Sequence, residues 1–315
     1  MSGNRGCWIA LGLAVLLLLT AAGACSFGFA LGAIALGPGD LGVGDAVAVV
    51  RVEGVIVSGD EPLTPFAAQD AYSHRVIRHL EQAEADPNVK AIVLRVDSPG
   101  GGVVGSDEIH GAIGLLTKPV VVSMGELAAS GGYYVSAPAD LIFASPGTLT
   151  GSIGVIAMVP NLEELLDKVG VEMIVIKSGE LKDLGSPYDA FTDQEREVWE
   201  EIIAEAYDGF LQIVAEGRDL PLQDVRILAD GRIYTGRQAA GLGLVDALGN
   251  LDDAIARAAE LGGISGSPRI IEYRRELSFL DAVFGYMDPQ LRTPNVDELL
   301  GIQRRFTLQY LYVEP

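Results

Sequence analysis

A serine and a lysine in two glycine-rich stretches are the residues of this 315-residue chain that point most directly to chemistry. Ser130 lies in AASGGYY at 128–134, where small neighbours and two following glycines let a backbone approach a bound peptide closely. Lys182 lies in IKSGELKDLGSP at 176–187, a loop that contains two glycines. A lysine accepts the proton of a serine only when it is uncharged, which burial or a nearby cation favours. The two stretches therefore predict a Ser–Lys dyad for nucleophilic hydrolysis.

A histidine-based triad is the alternative to this dyad, and the chain has three histidines. His74 and His79 are five residues apart on a predicted helix and so lie on different faces, and His110 follows a glycine-rich turn. Each is more typical of a surface or packing residue than of a catalytic base. These histidines, with Cys7 and Cys25 in or near an apolar segment, do not make a metal cluster, so we expect neither a metal nor a cofactor.

A second glycine-rich turn, DSPGGG at 97–102, has three possible roles. Its N–H groups can form an oxyanion hole, where each donor stabilises the developing charge by roughly 3–4 kcal/mol. Gly100, Gly102 and Gly105 also match the dinucleotide pattern G-x-G-x-x-G, with Glu126 as the acid nearest the ribose position. The third possibility is that both glycine-rich stretches are ordinary tight turns. Spacing alone leaves these roles open, although the dinucleotide pattern has little supporting context.

The net charge of the chain and the distribution of its apolar residues limit the classes of function that it can have. The net charge of −21 argues against nucleic-acid binding and predicts an acidic, solubilising surface. Residues 8–36 carry no charge and are long enough to span a bilayer. We expect a transmembrane anchor there, with signal-peptide cleavage or lipidation at Cys25 as alternatives. Arg5 in the short segment 1–7 places the N-terminus in the cytoplasm and the rest of the chain outside.

The remaining sequence alternates between strand and helix patterns after a flexible linker at 37–45. Strands are predicted at 46–57, 89–97, 119–125, 141–145 and 171–177. Helices are predicted at 66–86, 106–116, 161–170, 192 to about 217, and in a short stretch after 235. Capping boxes mark the last two helix starts, at Thr192 with Glu195 and at Thr235 with Gln238. This alternation predicts an α/β layered fold whose pattern loosens from about residue 266.

Five ordered motifs carry a resemblance to a known family. They are RVDSPGGG, SMGELAASGGYYVSAPAD, TGSIGV, IKSGELKDLGSP and GRIYTGRQAAGLGLVD. Together they resemble the bacterial signal peptide peptidases of the single-anchor, short-chain type, over roughly residues 46–265. The resemblance implies a caseinolytic protease/crotonase-like fold of repeated β-β-α units. It makes 46–265 the peptidase domain and 266–315 a C-terminal extension.

The resemblance also implies a role for individual residues. Ser130 matches the nucleophile, Lys182 the general base, and Ser152 in TGSIGV the hydroxyl that orients the lysine. Gly101 matches the oxyanion donor, helped by the N–H of Gly131 or of Ser130 itself. It further implies a ring-shaped homo-oligomer with hydrophobic grooves that bind extended apolar peptides by strand addition.

The expected function is a membrane-anchored serine endopeptidase that cleaves hydrophobic peptides, chiefly remnant signal peptides, on the extracytoplasmic side of the cell membrane. A lysine base predicts activity that is highest at neutral to mildly alkaline pH. Three alternatives stay open from the sequence. They are a related protease with a specific membrane-protein substrate, a non-proteolytic crotonase-like protein that binds an acyl thioester, and a scaffold for membrane partners without turnover.

Overall fold

The computed structural model describes residues 44–61, 70–273 and 309–311. The predicted anchor at 8–36 and most of the predicted linker at 37–45 lie outside these ranges. Among the helices that are described, none combines the length and the apolar character needed to cross a membrane.

The described chain alternates strands and helices, as the sequence pattern predicts. The strands are β1 Ala46–Glu53, β2 Ile56–Val57, β3 Ala71–Tyr72, β4 Val89–Ser98, β5 Gly100–Gly102, β6 Val120–Ala129, β7 Leu141–Ala144, β8 Leu149–Gly151, β9 Ile233–Thr235, β10 Ala247–Leu248, β11 Arg269–Glu272 and β12 Gln309–Leu311. The helices are α1 Ser73–Ala85, α2 Val103–Gly114, α3 Gly131–Ser136, α4 Glu163–Val169, α5 Asp193–Gly217, α6 Leu222–Leu228, α7 Gly236–Gly241 and α8 Leu251–Leu261.

A mostly parallel sheet forms the centre of the fold, with the strand order β10-β7-β6-β4-β1-β11. The long strand β6 pairs with β7 at its start and with β8 at its end, and all of these contacts are parallel. β9 adds an antiparallel strand to β8. The mixed α/β architecture expected from the sequence is therefore confirmed.

Helices cover both faces of this sheet, which explains why its strands are continuous apolar runs. Along β1, Val47 and Val49 point to a cluster that includes Ala254 and Ala258 of α8. The alternate residues, such as Val50, point to the larger cluster that contains the buried side of α5. Because successive side chains of a strand point to opposite faces of the sheet, the single apolar run of β1 contributes to both hydrophobic clusters.

A second, small sheet has the order β12-β5-β2-β3. β5 pairs in parallel with β2 and antiparallel with β12. The predicted strand at 46–57 is divided between the two sheets, because the chain turns at Gly54, whose φ is +78°. The predicted turn at SPGGG is also corrected, since Gly100–Gly102 is a strand paired on both sides.

The predicted strand at 171–177 is wrong, because these residues form no strand in the structure. The segment is exposed throughout, including Ile174 at 80% and Ile176 at 96%. Its apolar, β-branched composition favours a strand, but a strand needs a neighbouring backbone. In the described part of the chain the segment pairs with no strand. Both predicted capping boxes are confirmed.

Candidate active site

Ser130 lies at the junction between β6 and α3 in a rare backbone conformation. Its φ is 52° and its ψ is −117°, which a non-glycine residue adopts only when its surroundings enforce it. The Ser130 N–H donates to the carbonyl of Gly151 at 2.8 Å, and the Ser130 carbonyl accepts from the N–H of Tyr134 at 2.8 Å. Such strain often marks a functional site, and here it belongs to the residue predicted as the nucleophile.

The two glycines after Ser130 are required by close packing. A methyl group added at Gly132 would lie 2.8 Å from the carbonyl oxygen of Ser98. One added at Gly131 would lie 2.7 Å from the hydroxyl oxygen of Ser106 and 3.1 Å from the amide nitrogen of Gly101. The start of α3 therefore packs directly against the glycine strand β5, so the predicted oxyanion donors Gly101 and Gly131 are neighbours.

Ser152 lies beside Ser130 because their strands are paired. Ala129 at the end of β6 is opposite Gly151 at the end of β8, and each serine is the next residue along its chain. Ser152 has a φ of 49° and donates its N–H to the carbonyl of Arg232 at 2.8 Å. Both serines are buried, with exposures of 1% and 9%. The structure thus brings the predicted nucleophile and the predicted lysine-orienting hydroxyl to the same sheet edge.

Two buried serines that the sequence analysis did not single out hold the glycine strand in place. The Ser98 hydroxyl donates to the carbonyl of Gly54 at 2.6 Å and accepts from the N–H of Gly100 at 3.1 Å. The Ser106 hydroxyl donates to the carbonyl of Gly102 at 3.0 Å. Both ends of β5 are therefore fixed by side chains.

A bulge in β6 directs the end of that strand towards the site. Val96 of β4 is opposite Met124, but Ser98 is opposite Ala128, so β6 has extra residues at this point. The carboxylate of Asp97 accepts from the N–H of Leu127 at 3.1 Å within this bulge. Gly125 makes room for it, since an added methyl group would lie 2.6 Å from the carboxyl carbon of Asp97.

Lys182 is not brought to these groups. Its side chain is exposed, and within the described residues it makes no hydrogen bond to Ser130 or Ser152. The loop around it is ordered by its neighbours, since Lys177 pairs with Asp183 at 2.7 Å. The hydrogen bond from Lys177 lowers the pKa of Asp183 below its usual value. Four of the five predicted site residues therefore share one location, and the predicted base lies on a separate, exposed loop.

His110, the alternative base in the sequence analysis, lies on α2. Its ring meets the ring of Tyr134 edge-on at 5.5 Å between centroids. Burial lowers the pKa of His110, with Asp107 and Glu216 acting in the opposite direction. The Tyr134 hydroxyl donates to Asp107 at 2.9 Å, and no hydrogen bond joins His110 to Ser130 among the described residues.

Residues near the C-terminus also reach the site, and the sequence analysis did not find them. Tyr310 lies opposite Gly101 in the pairing of β12 with β5. Tyr310 is 2% exposed and packs against the rings of Tyr134 and Phe210. The only signal in the sequence is the apolar, aromatic run LQYLYV at 308–313, which is too short to show its partner.

Two family profiles match parts of this chain. The profile of peptidase family S49 matches residues 116–265, a range that contains Ser130, Ser152 and Lys182. The Clp protease profile matches residues 64–145, which supports the caseinolytic protease-like part of the expected fold. Among solved structures, a point mutant of ClpP1 from Listeria monocytogenes has a TM-score of 0.44 at 18% identity, over 66% of this chain and 94% of that one.

Three curated relatives have similar levels of identity. Protease 4 of Salmonella typhi is 38% identical over 79% of this chain and 40% of its own length. A protein of Enterococcus faecium, whose name proposes a signal peptide peptidase, SppA, is 39% identical over 72% of this chain and 66% of its own. A protein of Synechocystis, whose name proposes a protease, is 41% identical over 69% of this chain and 75% of its own.

The match thus spans from two fifths to three quarters of these relatives. The expected enzyme class, a serine peptidase, agrees with the names and the profile. The profile match and the similarity to these relatives show that the chain belongs to peptidase family S49.

Proposed function

We propose that this chain is a serine endopeptidase that cleaves hydrophobic peptides, chiefly remnant signal peptides, through an acyl-enzyme intermediate. The observation that carries the proposal is the strained, buried Ser130, followed by a helix start that packs directly against the glycine strand β5. A nucleophile held between a glycine strand and a neighbouring hydroxyl has the surroundings that acyl transfer requires.

The chemistry assigns one role to each predicted residue. Uncharged Lys182 takes the proton of Ser130 as its oxygen attacks the peptide carbonyl, and Ser152 orients the amine by a hydrogen bond. The N–H groups of Gly101 and Gly131 stabilise the oxyanion, with each donor contributing roughly 3–4 kcal/mol. The lysine then gives its proton to the leaving amine, and the acyl-enzyme is hydrolysed by a water that Lys182 activates in the same way.

The exposed position of Lys182 bears on how the dyad is formed. The apolar segment 171–176 precedes the lysine loop and leaves Ile174 and Ile176 in solvent. An exposed apolar run of this kind is typical of a protein–protein interface. We infer that the chain assembles into a ring-shaped homo-oligomer in which this segment is covered, and that Lys182 of one copy serves Ser130 of the next.

The proposed location is the cell membrane, with the peptidase domain on the extracytoplasmic side. The uncharged run at 8–36 and the basic Arg5 before it support this topology. Such a position would bring the site close to signal peptides left in the bilayer after secretion. Membrane fractionation, followed by protease treatment of intact cells, tests both the anchoring and the side.

Hydrolysis of a fluorogenic apolar peptide by the full chain in detergent tests the function. We expect the variants Ser130→Ala and Lys182→Ala to lose activity, and His110→Ala to retain it. We also expect the wild-type rate to rise with pH towards neutral or mildly alkaline values, as a lysine base requires. Activity that survives Lys182→Ala but is lost in His110→Ala would contradict the dyad.

A further inference from the structure

The loop that contains Lys182 is folded, although the Lys182 side chain itself is exposed. The N–H of Lys182 donates to the carbonyl of Gly179 at 3.1 Å, and the N–H of Ser186 donates to the carbonyl of Asp183 at 2.7 Å. Hydrogen bonds between residues three apart are those of β-turns. The backbone that carries the predicted base is therefore held in place, and only its side chain extends into solvent.

An ion pair closes this loop. The ammonium of Lys177 lies 2.7 Å from the carboxylate of Asp183, and the two side chains are 36% and 15% exposed. The hydrogen bond to Asp183 raises the pKa of Lys177 above its usual value. Lys177 directly follows the apolar segment 171–176, and Asp183 directly follows Lys182. The pair therefore links the segment proposed to be covered in the oligomer to the residue beside the predicted base.

Glu195 attaches the same loop to the long helix α5. One carboxylate oxygen, Oε1, accepts from the N–H of Gly185 at 3.3 Å, and the other, Oε2, accepts from the N–H of Thr192 at 2.8 Å. Gly185 has a φ of 77°, a conformation that favours glycine. The carboxylate that caps α5 thus also holds the loop, so the helix sets the position of the Lys182 backbone.

We propose that Lys177 and Asp183 are positioning residues. Their ion pair places the amine of Lys182 for its reaction with Ser130, and it couples that position to the apolar segment 171–176. The proposal rests on the proposed function, in which Lys182 is the base. A base on an exposed loop must be held in one place, since a displacement of about 1 Å can reduce the rate by about 10²-fold. Because the two charges of the pair cancel, neither dominates the electrostatic surroundings of the amine.

Kinetic analysis of the full chain in detergent tests this role. Lys177→Met and Asp183→Asn each break the pair, and an ion pair at this exposure contributes little to overall stability, so both variants should fold like wild type. We expect kcat for a fluorogenic apolar peptide to fall about 10-fold to 10²-fold, with KM within about twofold of wild type, because the peptide site is unchanged. The double variant should lose no more activity than the single variants, since each removes the same interaction.

Lys168→Met is the matched control for these variants. It breaks an ion pair of 3.5 Å with Glu164 on α4, whose side chains are 74% and 90% exposed, and it should leave kcat unchanged. Sedimentation velocity should show wild-type assembly for all of these variants, so that a lower kcat reports the position of the base. A loss of assembly in step with the loss of kcat would overturn the positioning role.

The pH profile distinguishes positioning by a charge pair from a simple loss of order. Lys177→Met leaves the negative charge of Asp183 uncompensated beside Lys182, which favours the charged amine, so activity should rise at a higher pH than in wild type. Asp183→Asn leaves the positive charge of Lys177, which favours the uncharged amine, so activity should rise at a lower pH. Other acidic residues near the pair are present in both variants: Glu180, Asp189 and Glu195. Profiles displaced in the same direction, or not at all, would contradict the proposal.

Hydrogen exchange at the backbone amides of the loop separates this proposal from the proposed function, because exchange does not depend on hydrolysis. We expect Asp183→Asn to increase the exchange rate of the Lys182 and Ser186 amides several-fold, and Lys168→Met to leave it unchanged. Wild-type exchange and wild-type kcat in Asp183→Asn, together with an inactive Lys182→Ala, would overturn the role of the pair and leave the peptidase intact. Wild-type activity in Lys182→Ala would instead refute the proposed function.

Discussion

The two halves of the candidate site differ in how the fold supports them. Ser130, Ser152 and the glycine strand are held by paired strands, buried hydroxyls and backbone contacts within one core. Lys182 lies on an exposed loop, after an apolar segment that pairs with no strand in the described ranges. The comparison indicates that the folded chain holds the predicted nucleophile in place by itself, whereas the predicted base would need a further contact to reach it.

A mixture of two inactive variants tests whether Lys182 reaches Ser130 from a neighbouring copy. We expect Ser130→Ala and Lys182→Ala each to reduce kcat by about 10⁴-fold or more, as removal of members of a catalytic unit does. If Lys182 serves a neighbouring copy, co-assembly of the two variants restores activity, because some sites then combine an intact serine with an intact lysine. Hydrolysis is measured after the mixture is dissociated and reassembled. No recovery in oligomers shown to contain both variants would place both residues in one copy.

The apolar segment supplies the matched control for assembly. Ile176→Asp puts a charge on a side chain that is 96% exposed, and Leu115→Asp does the same on one that is 83% exposed. We expect the first to weaken self-association and activity together, because a charge is costly to bury in an interface. The second should change neither. Sedimentation velocity reports the assembly, and a wild-type profile for Ile176→Asp would contradict the inferred interface.

Substitutions at two glycines with different surroundings test the close packing around Ser130. Gly132→Ala would place a methyl group 2.8 Å from the Ser98 carbonyl, whereas Gly111→Ala meets nothing within 4 Å. We expect the first to lower the free energy of unfolding by about 1–3 kcal/mol and to reduce activity. The second should stabilise α2 by up to about 1 kcal/mol. Chemical denaturation measures both, and equal effects would show that α3 does not pack tightly on β4 and β5.

Local patterns in the sequence were enough to predict the parts of the fold that local forces decide. Both capping boxes and the buried parallel strands follow from side-chain chemistry and period. The motif around Ser130 predicted a close backbone approach at a serine followed by two glycines, and the backbone at Ser130 is strained and closely packed. The catalytic role of Ser130 stays a prediction. The family resemblance added Ser152, which residue types alone do not single out.

The features that the sequence analysis predicted wrongly or missed depend on contacts between distant parts of the chain. SPGGG has the composition of a turn, but β2 and β12 pair with it and make it a strand. The run at 171–177 has the composition of a strand but pairs with no other strand among the described residues. Tyr310 reaches Gly101 from 209 positions away in the sequence, and no local pattern encodes such a contact. Strand formation depends on the partner as much as on the segment.

The smallest expected effect concerns stability in mild acid. Burial lowers the pKa of His110 and of His79 below the ordinary value of 6.5. The unfolded chain therefore binds protons more readily at these positions, so the free energy of unfolding should fall as the pH drops below about 6.5. We expect His110→Gln to have a flatter dependence than wild type between about pH 5 and 7, with the curves parallel above that range. Denaturation at a series of pH values measures this. Equal slopes below pH 6.5 would mean that His110 titrates as it does in the unfolded chain, and that its packing on Tyr134 does not keep it from water.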